Sequence, residues 1–171
     1  LAELPEAPQA PSPVMFALYP SGERTPHNDG TIRGGFIGLS QSTTRAQMTQ
    51  AVLEGVAFSF RDAVEGLAAS GLSFQEADVI GGGSQSALWT SIIASILDVK
   101  LHRLAHGEQG GAFGAARLAR IAVTNESVQD VCTPPERVAS IEPDSTLNGA
   151  YRQAYLRYRE IYPALRSIRT A

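Results

Sequence analysis

The segment Ala77-Asp78-Val79-Ile80-Gly81-Gly82-Gly83-Ser84-Gln85-Ser86-Ala87-Leu88-Trp89 carries the strongest signal for the fold of this chain. A short β-branched segment precedes three consecutive glycines, and an amphipathic segment follows them. This order predicts a strand, a tight turn and a helix. Glycine adopts positive φ and lets other groups approach the backbone, and amides at a helix start attract anions. The pattern favours a phosphate-binding turn at residues 81–84, although a tight connection without a ligand fits it too.

The rest of the chain alternates between the apolar periods of strands and helices. Strands are predicted near residues 14–19, 34–39, 77–80 and 101–104. Helices are predicted over residues 44–69 and 87–97, from about residue 112, and from Leu147 to a stop near Pro163. Thr43 or Thr44 is expected to cap the first helix, and Ser70-Gly71 to end it. The alternation predicts an α/β domain with a central sheet flanked by helices.

Three segments allow a finer prediction of packing. The helix after the glycines has a continuous apolar face in which Trp89 is expected to anchor the core. The small residues of Ala112-Phe113-Gly114-Ala115-Ala116 are expected to let that helix pack closely on a sheet or another backbone. The tyrosine-rich C-terminal helix is expected to be half-buried, with its arginines in water.

Composition narrows the class of protein. The 171 residues carry a formal net charge of −3, which argues against a nucleic-acid-binding surface. The single cysteine, Cys132, excludes an internal disulfide and fits a reducing cytosol; a passive, semi-buried thiol is expected. No apolar run reaches membrane-spanning length, and the first residues lack the features of a signal peptide. A cytoplasmic location is therefore predicted.

The first thirteen residues contain four prolines and no initiator methionine. Such composition is typical of an extended, weakly packed connector. We expect residues 1–13 to be the remnant of an interdomain linker, and residues 14–171 to form one folded domain.

Three other kinds of site can be weighed from the residues alone: a dinucleotide site, a Walker-type phosphate loop and a metal site. Gly81-x-Gly83-x-x-Ser86 approaches the dinucleotide fingerprint, but a helix and a strand precede it, and Ala105-His106 rather than an acidic residue follows the next strand. A Walker-type loop is excluded because no Gly-Lys-Ser/Thr follows the glycines. His27, His102 and His106 lack metal-ligand spacing, so they are expected to be surface or satisfied polar residues and no metal site is predicted.

Four segments, in order, resemble the FGGY family of carbohydrate kinases. Gly34-x-Phe36-x-Gly38-Leu39, followed by Gln47-Met48 and Ala51-Val52-Leu53-Glu54, is similar to its C-terminal signature. The turn from Ile80 to Ser86 resembles its nucleotide loop, and residues 112–116 resemble the start of its following helix. The loop of residues 21–29 is most similar to the xylulokinase branch. The resemblance covers roughly residues 16–122.

The resemblance implies an actin-like, ribonuclease H-like domain with a central mixed sheet flanked by helices. It implies ATP and Mg²⁺ as cofactors, and phosphorylation of D-xylulose when the chain is joined to an N-terminal domain. Two alternatives stay open: another FGGY kinase, acting on glycerol, ribulose or gluconate, and a stand-alone actin-fold nucleotide-binding module. From the residues alone, an NAD-binding domain also stays open.

Site residues follow from the resemblance by position. It implies nucleotide contacts from Gly81, Gly82, Gly83 and Ser84, and room beside the nucleotide at Gly114. Ala87 stands where related kinases often carry a polar residue, so a backbone contact alone is expected there. In the loop of residues 21–29, Glu23 and Arg24 are expected to line the substrate cleft; an internal Glu23–Arg24 ion pair is the alternative.

No catalytic residue is predicted in this chain. The family's catalytic aspartate belongs to the N-terminal domain, while Asp62 and Asp78 are expected to be structural and Asp29 lies where the family does not place its base. The chain alone is therefore expected to transfer no phosphate. The expected partners are its own N-terminal FGGY domain, a small sugar and a second copy in a homodimer, with no nucleic acid and no membrane.

Overall fold

A computed structural model describes residues 4–168, in which two small sheets pack against helices. Strands β1 (Met15–Ala17) and β2 (Gly35–Ile37) form an antiparallel pair. The second sheet has the order β3 (Glu76–Val79), β4 (Lys100–Leu104) and β5 (Arg137–Ile141), with β3 parallel and β5 antiparallel to β4. The predicted α/β class with a mixed sheet is confirmed.

Six α-helices accompany these strands within residues 4–168. They are α1 (Arg45–Ala69), α2 (Ala87–Leu97), α3 (Gly110–Thr124), α4 (Val128–Val131), α5 (Asn148–Arg159) and α6 (Ile161–Ile168). No helix in this part of the chain is both long enough and apolar enough to cross a bilayer.

The ends of α1 are the ones that its sequence predicts. Thr44 and Gln47 form a capping box: the Gln47 amide donates to the Thr44 hydroxyl over 3.2 Å, and the Thr44 amide donates to the Gln47 side chain over 2.9 Å. At the other end Ser70 is the C-cap and Gly71 has φ of +85°. The capping box and the C-terminal glycine thus define where this long helix begins and ends.

The core lies between α1, α2, α5 and strands β1 and β4. Phe58 of α1 contacts the rings of Tyr151, Tyr155 and Tyr158, all buried on one face of α5. The arginines of α5 are exposed, which confirms the predicted half-buried helix. The apolar face of α2 is confirmed as well, since Ile92, Ile93 and Ile96 are buried.

Three expectations about local structure are wrong, and one strand was not predicted. The C-terminal helix does not stop near Pro163: α5 ends at Arg159, and Pro163 lies in the first turn of α6, where its missing N–H removes no helical hydrogen bond. Strand β5, which follows the irregular Pro134-Pro135 segment, was not anticipated. Cys132 is exposed rather than semi-buried. No residue of α3 is buried, so its small residues do not pack closely on the described sheet.

The first thirteen residues pack more firmly than their composition suggests. Ser12 is buried, and its backbone amide donates to Oε2 of Glu54 on α1 over 3.0 Å. The Gln50 side chain also donates to the carbonyl of Ala10 over 2.9 Å. Residues 1–3 lie outside the described part of the chain, so the linker assignment stays a prediction.

Candidate functional site

The candidate site begins where β3 and β4 end. Because these strands are parallel neighbours, their carboxyl ends lie at the same edge of the sheet. Residues 81–85, here called the first glycine turn, follow β3, and residues 107–110, the second glycine turn, follow β4. The Gly81 amide donates to the Gly107 carbonyl over 2.8 Å, and the Gln85 side chain donates to Oε2 of Glu108 over 3.2 Å. The fold therefore joins the two turns.

Hydrogen bonds inside the first glycine turn hold its shape. Gly81 has φ of +87° and begins a 3₁₀ turn over Gly82–Gln85. The backbone amide and the hydroxyl of buried Ser84 both donate to the Gly81 carbonyl, over 3.0 and 2.7 Å. The amides of Gly81 and Ser84 are thus engaged within the protein. Those of Gly82 and Gly83 stand at the start of the helical turn, where amides have no partner in the turn itself.

The glycines of the site differ in the space around them. A Cβ atom built on Gly82, Gly111 or Gly114 would meet nothing within 4 Å. Gly110 has φ of +43°, and a Cβ there would lie 4.0 Å from the Gly81 nitrogen. Open space at Gly82 and Gly114 is what a ligand beside the two turns would need.

Gly83 is a glycine for another reason. A Cβ atom built on it would lie 1.8 Å from Cζ3 of Trp89, a distance that real Cβ atoms essentially never show. The sequence predicts that all three glycines serve the approach of a ligand. At Gly83 the indole ring of this protein occupies the Cβ side, so that side is closed to a ligand, and a contact through the Gly83 amide stays a prediction.

Ala87 is exposed at the first position of α2, beside the first glycine turn. The preceding Ser86 caps the helix, because its hydroxyl accepts the Trp89 amide over 3.3 Å. The placement of Ala87 leaves its backbone near the turn, and a methyl group offers no polar side-chain contact.

Glu23 and Arg24 lie in a hydrogen-bonded loop elsewhere in the fold. The backbone of Glu23 pairs with Asp29 over 2.8 and 2.7 Å, and its carboxylate accepts the His27 amide over 2.7 Å. Both residues line a cavity of about 250 Å³ together with Asp62 and Tyr158. No residue of either glycine turn lines this cavity, so the structure does not bring the two predicted groups together. A role of Glu23 and Arg24 in a substrate cleft stays a prediction.

All six aspartates have structural partners. Each accepts a hydrogen bond from this protein: Asp29 from Thr31, Asp62 from Tyr155, Asp78 from Arg137, Asp98 from Asn148, Asp130 from Ser127 and Asp144 from Thr146. Burial raises the pKa of Asp62, although the Tyr155 hydroxyl, 2.6 Å away, counteracts that rise. Across residues 4–168 no three His, Cys, Asp or Glu side chains cluster as metal ligands would.

Two histidines have ring contacts within the described part of the chain, and His102 is the one whose ring nitrogens have hydrogen-bond partners. His102 is buried on β4 between Ser140 and Glu76, with ring nitrogens 2.9 and 3.1 Å from their side-chain oxygens. His27 stacks on the ring of Tyr162 with centroids 3.6 Å apart.

Sequence reasoning missed the second glycine turn as part of the site. Gly107 accepts the hydrogen bond that joins the turns, and Glu108 contacts Gln85. The sequence does contain a signal for this turn, because Gly107, Gly110 and Gly111 follow the strand predicted at residues 101–104. Recognising it required the knowledge that β3 and β4 are parallel neighbours.

The comparisons with known proteins all indicate the same family. Residues 1–123 match the FGGY family of carbohydrate kinases, C-terminal domain. The chain is 37% identical over 153 residues to a xylulose kinase of Staphylococcus epidermidis, covering 87% of this chain and 30% of that protein. It is 35% identical over 166 residues to the xylulose kinase of Escherichia coli, covering 96% and 34%. The chain thus spans about a third of the length of these relatives.

Solved structures agree. A xyloylose kinase from Brucella ovis superposes with a TM-score of 0.86 at 46% identity, covering 98% of this chain and 35% of that one. A ligand-bound xylulose kinase from Lactobacillus acidophilus gives 0.76 at 26% identity, covering 93% and 33%. The fold is therefore the actin-like fold of sugar kinases, and the chain belongs to the C-terminal domain of the FGGY family of carbohydrate kinases.

Proposed function

We propose that this chain is the nucleotide-binding part of a kinase that transfers the γ-phosphoryl group of ATP to D-xylulose when joined to an N-terminal FGGY domain. One observation carries the proposal: in a chain of this family, the Gly81–Gly107 hydrogen bond joins two glycine turns at one sheet edge. The xylulose kinases among its relatives support D-xylulose as the sugar.

The residues of the two turns suit a nucleotide. The amides of Gly82 and Gly83 are the donors proposed for phosphate oxygens, and the Gly81 and Ser84 hydrogen bonds hold these amides in place. Gly114 leaves room beside the nucleotide, and Ala87 contributes backbone alone. Bound ATP supplies the phosphoryl group. Mg²⁺ usually keeps several waters and binds substrate phosphates with one or two carboxylates, so its use does not require a cluster of ligands among residues 4–168.

The proton acceptor for the sugar hydroxyl is proposed to lie outside this chain. A phosphoryl-transfer site needs a carboxylate beside the attacking hydroxyl. Every aspartate here accepts a hydrogen bond from another residue of this protein, and none belongs to either glycine turn. We therefore keep the prediction that the chain alone transfers no phosphate, and that the N-terminal domain supplies the aspartate.

The test has two parts on the same purified chain. Titration with Mg²⁺–ATP, followed by amide chemical shifts, should show weak saturable binding, because half of the cleft is missing. A coupled ATP and D-xylulose assay should show no turnover above a no-enzyme control. Absence of ATP binding would refute the nucleotide site, and clear turnover would refute the division of labour between domains.

A second sugar is the main alternative. An erythritol kinase of Brucella abortus is 30% identical over 161 residues, and a gluconate kinase of Lactobacillus acidophilus superposes with a TM-score of 0.74 at 26% identity. Assays of a protein that contains both domains, with D-xylulose, erythritol and gluconate side by side, decide between them.

A homodimer and a cytoplasmic location stay predictions, the latter from the single cysteine.

A further inference from the structure

The contact between Trp89 and Gly83 is the tightest that any side chain makes with a glycine of the site. A Cβ on Gly83 would lie 1.8, 2.5 and 3.0 Å from Cζ3, Cε3 and Cη2 of the indole. The six-membered edge of the ring therefore occupies the space in which a side chain at position 83 would begin. The neighbouring Gly82 has no such neighbour, since nothing lies within 4 Å of its Cβ position.

The indole is held from the other side by the core. Trp89 lies in the first turn of α2 and packs against the buried cluster. It lines an apolar cavity of about 270 Å³ with Phe60, Phe74 and Ile93. Its Nε1 atom is buried and has no hydrogen-bond partner among the described residues. Packing, rather than a hydrogen bond, therefore sets the position of the ring.

We propose that Trp89 is a positioning residue for the first glycine turn, and that it sets nucleotide affinity by fixing the amides of Gly82 and Gly83. The inference rests on the proposed function. The turn is tied at Gly81 by the Gly107 carbonyl, and at Ser84 by the Gly81 carbonyl. Trp89 adds the third support, beneath Gly83, so the donors are arranged before a nucleotide arrives.

The test changes the side-chain volume at each of the two positions in contact, 83 and 89. G83A places a methyl group in the ring, so we expect ATP affinity, measured by amide-shift titration, to fall about tenfold or more, since a loss of 1.4 kcal/mol is tenfold. W89L removes the ring and with it the proposed support, so it should also weaken ATP binding several-fold. In the double variant G83A/W89L both changes act on the same contact, so its loss should be smaller than the two single losses combined. Circular dichroism selects folded variants, and G149A, at an open glycine of α5 outside both turns, controls for the loss of a glycine.

The chain provides its own optical reporter, because Trp89 is its single tryptophan. Emission of the wild-type chain should change on saturation with ATP. The spectrum of nucleotide-free G83A should shift to the red as the indole leaves its apolar surroundings, whereas that of G149A should match the wild type. A purely structural role for the ring predicts a lower melting temperature in G83A with unchanged affinity of the folded protein.

The outcomes separate the two proposals. If the wild-type chain binds ATP but G83A or W89L binds equally well, the positioning role is wrong and the nucleotide site stands. If the wild-type chain binds no ATP, the proposed function fails and the positioning role fails with it.

Discussion

Helix α1 crosses strand β1 so closely at Gly55 that a Cβ atom there would lie 2.3 Å from the carbonyl oxygen of Phe16. Gly55 is buried and lies near the middle of the helix. A glycine in a helix interior is normally a weakness, because it has the most backbone freedom to lose. Here it permits the contact that holds the β1–β2 pair to the helical layer.

Replacing Gly55 by alanine should therefore destabilise the domain despite the better helix propensity of alanine. Forcing a methyl group against backbone that cannot yield is expected to cost more than about 2 kcal/mol of the free energy of unfolding. Gly66, an exposed glycine of the same helix with nothing near its Cβ position, is the matched control. G66A should stabilise the chain by about 0.5–1 kcal/mol. Urea unfolding of both variants measures the contrast, and equal effects would contradict the packing.

Glu54 should make stability depend on pH. Its side chain is buried against Ser12 and Gln50, and burial raises its pKa to about 7 although hydrogen bonds from these residues oppose the rise. Because the pKa of Glu54 in the folded protein lies above its ordinary value of 4.5, the native state holds the proton more tightly. The stability from this group is complete below pH 4.5 and is lost as the pH rises to about 7.

From about pH 5 to about pH 8 the free energy of unfolding should fall by roughly 2.5 kcal/mol through Glu54. E54Q cannot titrate, so its free energy of unfolding should change less over the same range. E65Q, at an exposed position of the same helix, should follow the wild type. Parallel pH profiles for E54Q and the wild type would show that Glu54 is not the responsible group.

The Tyr155 hydroxyl supports a half-buried carboxylate. It donates to Oδ1 of Asp62 over 2.6 Å, and burial already raises the pKa of Asp62. Y155F should lower the free energy of unfolding by about 2 kcal/mol at neutral pH, because the carboxylate loses a charge-assisted hydrogen bond. Y162F removes a longer contact, 3.3 Å from Asp29, and should have a smaller effect in the same denaturant series. The reverse order would argue against the Asp62 interaction.

A negative charge at Gly82 should oppose the proposed ligand without disturbing the fold. A Cβ there meets nothing within 4 Å, so G82D is expected to leave the melting temperature nearly unchanged. Repulsion between the new carboxylate and the nucleotide phosphates should weaken ATP binding about tenfold or more. G149D makes the same charge change at an open glycine of α5, and should bind like the wild type. Equal affinity of G82D and G149D would place the phosphates elsewhere.

Local signals predicted the long elements well. The capping box at Thr44 and the left-handed Gly71 define α1 almost to the residue, and the β-branched segment before Gly81 marks β3. Strand β5 was missed because it follows two prolines and its residues are mostly exposed. The break between α5 and α6 was misplaced, since Pro163 is tolerated in a first helical turn.

Only part of the site was predictable from the sequence, because the rest depends on how the strands and helices pack together. The first glycine turn stands out in the sequence, because three glycines follow a strand. Its partner turn becomes evident once β3 and β4 are known to be parallel. No local pattern distinguishes Gly83, which meets Trp89, from Gly82, which meets open space. That difference depends on how α2 leaves the turn.

If the two glycine turns form one nucleotide site, amide chemical-shift mapping of the chain with Mg²⁺–ATP should give the largest saturable shifts at residues 82–84 and 107–111. Little change is expected at Glu23 and Arg24. No shifts in the two turns, or shifts centred on the cavity beside Arg24 and Asp62, would contradict it.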